Sequence, residues 1–200
     1  MYSFHGFSPP DDILAAVEGG SATSFCLFTH QNVKSPGQVR ELNEALYKKT
    51  WDQVLKERDH PRFIYMHLEI PHYPYYFDRN GKPNALKDLY DTEQGDLKKY
   101  IEYLQYGNKR YLELIDHIFT HSKKPPVIMF MSDHGFRKFV NDSVDHRYHF
   151  MNINSVYLPG KQYQGFYKGM SNVNQFRVLL NTQFQQHLPI LKDSSIFLRD

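Results

Sequence analysis

A carboxylate, an imidazole and a glycine stand in a row at Asp133, His134 and Gly135, separated only by Ser132 from an apolar run at residues 127–131. A carboxylate beside an imidazole is a ligand set that suits zinc, manganese or iron better than calcium, which prefers oxygen ligands alone. Gly135 would let the backbone turn sharply, so that the two consecutive side chains reach one ion. The motif predicts a metal site, although an isolated Asp-His-Gly is more often a turn with a solvated histidine.

Candidate ligands also lie near the two other apolar strands of the sequence, and they are His67, Glu69, His72, His146 and His149. Histidines of this kind can supply a second metal site or bind an anionic group of a substrate. Taken singly, His67 is better explained as a core residue, and His72 as a residue packed in an aromatic loop. Because histidines stand at three successive strand boundaries, their coincidence favours a shared site.

Two arginines, Arg137 and Arg147, lie between the Asp-His-Gly motif and the next predicted strand. A guanidinium group pairs readily with phosphate or sulfate, so both residues are candidates for neutralising such a group. The alternative is that they are ordinary surface charges. Both interpretations stay open on the sequence alone.

The segments that must position these side chains alternate between helical and strand patterns. Their predicted order is helix 36–58, strand 62–68, helix 96–121, strand 127–131, strand 153–158 and a helix that begins after Ser171. This order predicts an α/β fold, with a mostly parallel sheet flanked by helices. In such sheets ligands bind beyond the carboxyl ends of the strands, where a crossover helix would bring two strand exits together.

Length and composition are ordinary for a globular chain. The 200 residues suffice for one domain, with an irregular lead-in at 1–35 and an α/β core at 36–200. The net charge is +2 and the basic residues are scattered, which gives no support to a nucleic-acid partner. The sequence has no run of about 18 apolar residues, so we expect no membrane contact from this segment itself. Cys26 is the single cysteine, which excludes an internal disulfide.

Several stretches resemble, in sequence and in order, the C-terminal half of bacterial membrane-anchored sulfatase-like proteins. These stretches are FIYMHLEIPHYPYYFDRNGK, YLQYGNKRYLELIDHIF, PPVIMFMSDHGFR, NINSVYLPG and SNVNQFRVLLNTQF, and they fall roughly within residues 60–190. Such proteins form part of the sulfatase-like branch of the alkaline phosphatase superfamily, and they are relatives of phosphoethanolamine transferases and lipoteichoic acid synthases. The combined pattern is specific, whereas each piece alone is not.

The resemblance implies an alkaline phosphatase-like fold, of which this chain would be an incomplete, C-terminal portion. It implies that Asp133 and His134 bind the principal metal, zinc or manganese. His72 would lie near a second metal or the substrate phosphate. A further histidine of the site would be His146, with His149 as a rival because the register before the next strand is open. The implied substrate is a phosphate or sulfate ester.

The family's nucleophile, a serine, a threonine or a modified cysteine, lies in an N-terminal half of the domain. The resemblance therefore implies that this missing half is a partner of the chain, on the extracytoplasmic face of a bacterial membrane. The expected function is that of a metal-dependent hydrolase, or a phosphoryl or phosphoethanolamine transferase, whose nucleophile lies outside this chain. The alternative is a catalytically silent domain that binds a metal, a ligand or a partner.

Overall fold

The computed structural model describes residues 23–27, 35–57, 59, 61–89, 96–137 and 147–196. Its helices and strands follow in this order: β1 (Thr23–Leu27), α1 (Pro36–Val54), β2 (Arg62–Met66), a short 3-10 helix (Leu86–Leu89), α2 (Leu97–His121), β3 (Ile128–Met131), α3 (Arg147–Phe150), β4 (Asn154–Tyr157) and α4 (Asn172–Phe184). The chain forms two compact units, which divide between Ser122 and Lys123. The expectation of one domain over residues 1–200 stays a prediction.

The first unit contains β1 and β2, which pair in parallel with Thr23 opposite Arg62. The strand predicted at 62–68 is confirmed at β2. β1 lies inside the segment 1–35, where the sequence predicts an irregular lead-in. A short apolar run does not by itself distinguish a strand from a buried loop, and pairing with β2 makes this one a strand.

Both long helices of the first unit begin at a capping residue. The Ser35 hydroxyl oxygen accepts a hydrogen bond from the Gln38 backbone N–H (3.4 Å), and Pro36 follows at the start of α1. The Asp96 carboxylate accepts a hydrogen bond from the Lys99 N–H (3.0 Å) at the start of α2. These caps satisfy N–H groups that have no partner within the helix, so local sequence sets where each helix starts.

α1 packs against α2 through aromatic and charged side chains. The Tyr47 hydroxyl donates to the Arg110 carbonyl (2.9 Å), and the Arg110 guanidinium lies 3.8 Å from the centre of the Tyr47 ring. Trp51 stacks on the buried imidazole of His117, with ring centres 3.7 Å apart. Because Arg110 also pairs with Glu44 (3.0 Å), stacking and charge tie the two helices together.

The loop after β2 packs onto α2 through a cluster of tyrosines. Tyr75, Tyr76 and Tyr103 are buried, and the ring of Tyr103 lies 6.3 and 6.0 Å from the other two. Burial raises the pKa of Tyr75 to about 12. Gly107 lets the loop approach the helix, because a Cβ there would lie 2.7 Å from Cγ2 of Ile70. Aromatic packing therefore holds the loop that follows β2.

The second unit contains β3 and β4, which are antiparallel, with Ile128 opposite Tyr157 and Met131 opposite Asn154. The predicted α/β class is confirmed. The sequence favours parallel neighbours; β1 and β2 are parallel, whereas β3 and β4 are not. The connection between β3 and β4 is long enough for either direction, so its length does not decide between them.

The core of the second unit is small and mixes apolar with amide side chains. Leu158, Val178 and Leu179 are buried, and so are the polar residues Asn174 and Gln175 of α4. Burying an amide costs free energy unless it is hydrogen-bonded, and Asn174 finds its partners in the segment that follows the helix. Among the described helices, none combines the length and the apolar character needed to cross a membrane.

The chain after α4 runs back along this helix and is held by asparagine side chains. The Asn181 amide bonds both backbone groups of Leu188 (2.8 and 2.9 Å). The Asn174 amide bonds both backbone groups of Leu191 in the same way (2.9 and 2.8 Å). We call residues 188–196 the C-terminal strap. Side-chain amides thus supply the hydrogen bonds that a neighbouring strand would otherwise give.

Candidate metal-binding site

Asp133 and His134 are the two candidate metal ligands, called the metal-binding pair below, and only Ser132 separates them from β3. Ser132 still bonds to the neighbouring chain, because its N–H donates to the Ile153 carbonyl (3.1 Å). Its hydroxyl oxygen also accepts a hydrogen bond from the Ile153 N–H (3.1 Å). The pair begins at the next residue, where strand ends carry ligands in α/β proteins.

The contacts of His134 define which ring nitrogen carries the proton. Nε2 lies 2.7 Å from Nη2 of Arg137, and because a guanidinium group only donates, Nε2 accepts. Nδ1 lies 2.6 Å from the Gly135 carbonyl oxygen and is therefore the donor. A metal-bound histidine commonly donates its second ring N–H to a carbonyl, which leaves the other nitrogen for the metal. His134 thus has the tautomer that a ligand through Nε2 requires.

Asp133 presents one carboxylate oxygen to the same ring nitrogen. Oδ1 accepts a hydrogen bond from the His134 backbone N–H (3.0 Å), and Oδ2 lies 3.6 Å from Nε2 of His134. Metal bonds to oxygen and nitrogen ligands are each about 2.0–2.2 Å long, so donors at this separation can contact one ion. The Asp133 side chain is 77% exposed, which leaves it accessible to an ion from solution. The donor types and their separation fit zinc or manganese.

Gly135 is required by a close approach of two backbones. Its N–H donates to the His149 carbonyl (2.8 Å), and a Cβ on it would lie 2.0 Å from the Tyr148 carbonyl oxygen and 2.6 Å from that of Met151. Its φ lies outside the left-handed region. The sharp turn expected from the sequence is therefore not the reason for this glycine. Only glycine lets α3 and the residue after it lie against the metal-binding pair.

A cleft of about 750 Å³ opens beside the pair within the second unit. Arg137 and His149 line it together with the pair, and the C-terminal strap contributes residues 193–196. Four of the residues singled out in the sequence thus share one cleft. His149 lies on α3 and reaches the cleft from there. The Gly135 N–H holds α3 in place through its hydrogen bond to the His149 carbonyl.

The family model of the sulfatases matches residues 11–183, which is well over half of the chain and includes the metal-binding pair. The chain belongs to the sulfatase family. The resemblance to the sulfatase-like branch of the alkaline phosphatase superfamily is thereby confirmed. Comparisons with curated proteins and with solved structures gave no match.

Sulfatases generally use a divalent metal and act on sulfate esters. In this sulfatase-family chain, the described ranges contain no group of three or more His, Cys, Asp or Glu side chains that could hold a metal. A zinc site normally takes three or four protein ligands. The pair alone would therefore supply two of the ligands that such a site needs.

Three other histidines of the sulfatase-family chain are candidates for the site: His67, His72 and His146. His146 falls outside the described residues, so the choice between it and His149 stays a prediction. His72 belongs to the first unit, where it is exposed and its Nδ1 contacts the Tyr73 carbonyl. Its role near a second metal or the substrate also stays a prediction. His67, expected in the core, is exposed beyond the end of β2.

Asp193 is a cleft residue that the sequence does not reveal. Its carboxylate accepts hydrogen bonds from the Ser171 hydroxyl (2.5 Å), the Ser171 N–H (2.9 Å) and the Tyr167 hydroxyl. These bonds lower the pKa of Asp193 to about 2, with the Ser171 hydroxyl as the largest cause. The carboxylate thus stays charged beside Ser171, the residue that precedes α4, where the helix dipole favours a negative charge. Its partners lie about 20 residues away in the chain, so no local motif marks it.

Two asparagines beside the pair, Asn152 and Asn172, are also missed by sequence reasoning. Both line the cleft and both contact the backbone of Ser132. Asparagine is common in loops and at helix starts, so neither position stands out. A signal exists only in three dimensions, where the two amides meet at one carbonyl oxygen.

Proposed function

We propose that this chain is the metal-binding part of a metal-dependent hydrolase, or of a phosphoryl or phosphoethanolamine transferase, that acts on phosphate or sulfate esters. Asp133 and His134 are its ligands for zinc or manganese. The observation that carries the proposal is the geometry of His134, whose Nδ1 lies 2.6 Å from the Gly135 carbonyl oxygen and whose Nε2 lies 3.6 Å from Oδ2 of Asp133 beside a cleft. Membership of the sulfatase family supports the class of substrate.

Arg137 and His149 are proposed to bind the ester group in the cleft. The planar guanidinium of an arginine matches the oxygens of phosphate and sulfate. Here its Nη2 donates to Nε2 of His134, the nitrogen that a metal would use. We therefore propose that Arg137 leaves His134 for the substrate anion when the ion is bound. A bound metal would stabilise negative charge on the ester and lower the pKa of the attacking group.

The nucleophile is proposed to lie outside this chain, in an N-terminal half of the domain that acts as its partner. By resemblance, the complete enzyme would work on the extracytoplasmic face of a bacterial membrane. Covalent catalysis needs an activated nucleophile, so we expect little turnover of p-nitrophenyl phosphate or p-nitrophenyl sulfate by the purified chain. Robust hydrolysis that is lost on Asp133→Ala would overturn this part of the proposal.

A second candidate function is that of a catalytically silent domain that binds an anion rather than a metal. It is favoured by the same Arg137–His134 contact. The guanidinium group beside Nε2 gives this side of the cleft a positive charge that needs no metal ion. Binding of inorganic phosphate or sulfate without added metal, lost on Arg137→Ala, is the result that this candidate predicts.

The deciding experiment measures zinc and manganese in the purified chain by elemental mass spectrometry, with thermal unfolding as a second readout. The test variant is Asp133→Ala with His134→Ala. Its matched control is Asp116→Ala with His187→Ala, which removes an exposed aspartate and an exposed histidine elsewhere. At a metal concentration about 100 times the Kd, binding stabilises the folded protein by about 2.7 kcal/mol.

We expect bound metal and metal-dependent stabilisation in the unmodified chain and in the control, and loss of both in the test variant. Equal, negligible metal in all three proteins would contradict the metal-binding proposal. If phosphate or sulfate nevertheless stabilised the unmodified chain through Arg137, the silent anion-binding domain would be the better description.

A further inference from the structure

The carbonyl oxygen of Ser132 accepts hydrogen bonds from two side-chain amides, which come from different parts of the second unit. Nδ2 of Asn152 donates to it at 2.9 Å, and Nδ2 of Asn172 donates to it at 2.8 Å. A carbonyl oxygen has two lone pairs, so both of its acceptor positions are taken. Ser132 immediately precedes the metal-binding pair, which makes its carbonyl the last backbone group before the ligands.

The two asparagines also orient each other. Nδ2 of Asn152 lies 3.4 Å from Oδ1 of Asn172. Asn152 follows α3 and precedes β4, whereas Asn172 is the first residue of α4. Two separate segments thus converge on one oxygen, and the side chain from each restricts the rotation of the other. We call this arrangement the amide clamp (Asn152, Asn172 and the Ser132 carbonyl).

A fixed carbonyl direction fixes the residue that follows. The Ser132 carbonyl and the Asp133 N–H share one rigid peptide plane, which also contains the Asp133 Cα. At the other end of the pair, the Gly135 N–H bonds to the His149 carbonyl at 2.8 Å. The backbone of Asp133 and His134 is therefore held on both sides, and their side chains leave it in a defined direction.

We propose that Asn152 and Asn172 are positioning residues that hold Asp133 and His134 in the geometry needed to bind one metal ion. The part of this inference that concerns metal binding rests on the proposed function, in which Asp133 and His134 are metal ligands. Metal sites depend on the groups that orient their ligands, and replacing such groups typically weakens metal binding by about 10–100-fold. Neither asparagine contacts the ion in this arrangement; both act through the Ser132 backbone.

The simpler explanation is that these are ordinary surface hydrogen bonds, which water would replace at small cost. The first unit offers a matched control for it. Nδ2 of Asn84 donates to the Tyr75 carbonyl at 2.7 Å, a bond of the same kind between a partly exposed asparagine and a backbone carbonyl. If the clamp hydrogen bonds are of this ordinary kind, the clamp variants should leave amide exchange and zinc binding at Asp133 and His134 as little changed as Asn84→Ala does.

Asn172→Asp is the sharpest variant. It keeps the size of the side chain but replaces the N–H donors with a carboxylate oxygen, which the Ser132 carbonyl repels. Because residue 172 is the first residue of α4, a negative charge there favours the helix through its dipole. Asn172→Asp should therefore loosen the pair without lowering the stability of α4, which a variant that acts only through folding cannot do.

The experiment uses the full chain with the variants Asn172→Asp, Asn152→Ala, the two combined, and Asn84→Ala. Two readouts are taken: hydrogen exchange of the Ser132 and Gly135 amides by NMR, and the Kd for zinc in a titration. Loss of one such hydrogen bond speeds exchange by about fivefold. We expect that acceleration in each clamp variant, an about tenfold or larger rise in the zinc Kd, and neither change in Asn84→Ala.

The two readouts separate the inference from the function on which it rests. Unchanged exchange at Ser132 and Gly135 in the clamp variants would overturn the amide clamp whether or not metal binds. Faster exchange with an unchanged zinc Kd would overturn its role in metal binding. If the unmodified chain binds no zinc, the proposed function fails, while faster exchange would still establish the clamp as the group that orients Asp133.

Discussion

Each of the two units of this protein is stabilised internally by a different kind of interaction. In the first, rings of buried tyrosines and the stacked pair of Trp51 and His117 join the long helices and the loop after β2. In the second, asparagine side chains bond backbone groups, as Asn174 does to Leu191 and Asn172 does to Ser132. The metal-binding pair lies in the second unit.

The difference matters because the two interactions control different quantities. Apolar burial supplies stability but is non-directional. It keeps a side chain out of water without determining how that side chain is oriented. A hydrogen bond favours a narrow range of distance and angle, and therefore fixes orientation. The proposed site must aim two side chains at one ion and therefore needs orientation, which the proposed amide clamp would supply.

The largest expected effect is the loss of an aromatic ring from the first unit. Tyr103 is 1% exposed, and its ring contacts those of Tyr76 and Tyr106. Tyr103→Ala should lower the free energy of unfolding by about 3–5 kcal/mol, because it removes a buried ring and leaves a cavity. The control is Leu112→Ala on the same helix, which is 62% exposed and should change stability by less than about 0.5 kcal/mol. Urea unfolding measures the change in both variants. Equal losses of stability in Tyr103→Ala and Leu112→Ala would contradict the view that buried aromatic rings stabilise the first unit.

A pair of glycine variants tests backbone against side-chain contact. Gly135→Ala places a Cβ 2.0 Å from the Tyr148 carbonyl oxygen, and since backbone cannot move aside cheaply, we expect a cost of about 3 kcal/mol and weakened metal binding. Gly107→Ala meets Cγ2 of Ile70 at 2.7 Å, which a side chain relieves more readily than backbone does, and alanine favours the helix, so we expect a smaller net cost of about 1–2 kcal/mol. Thermal unfolding measures the loss of stability in each variant. A larger loss in Gly107→Ala than in Gly135→Ala would contradict the close approach of α3 to Gly135.

Release of the C-terminal strap should have a smaller effect on stability than Tyr103→Ala or Gly135→Ala. Asn174 is fully buried, and Asn174→Ala removes both of its bonds to Leu191, at a cost of about 2 kcal/mol. Asn181→Ala removes the same two bonds to Leu188 from a partly exposed side chain and should cost about half as much. Limited proteolysis of the strap provides a second measurement. Resistance equal to that of the unmodified chain would mean that other contacts hold it.

The smallest expected effect is the pH dependence that Asp193 confers. Hydrogen bonds from Ser171 and Tyr167 lower its pKa to about 2 in the folded protein, below the ordinary value of 3.8. A lowered pKa stabilises the folded state above the ordinary value, and this contribution disappears as the pH falls from about 4 to about 2. Asp193→Asn should therefore flatten the stability curve over that interval and leave its slope above pH 5 unchanged. An equally steep acid loss in Asp193→Asn would show that other carboxylates cause it.

Much of the secondary structure could be predicted from the sequence. The helix predicted at 96–121 is found as α2, and the strands predicted at 127–131 and 153–158 are found as β3 and β4 with ends shifted by one residue. Capping residues, helical periodicity and apolar runs are local signals, and each is read within a few residues. β1 and the antiparallel direction of β4 were missed, because pairing depends on segments distant in the sequence.

The candidate site divides in the same way. The sequence by itself determined that a carboxylate and an imidazole follow a strand end, that Arg137 and His149 are near them in the chain, and that the pattern is that of a sulfatase. Only the tertiary structure decided that Gly135 is there for the approach of α3, and that Asp193 and the two clamp asparagines stand beside the pair. The reason is physical. Ligand types are properties of single residues, whereas their orientation depends on hydrogen bonds between segments that meet only after folding.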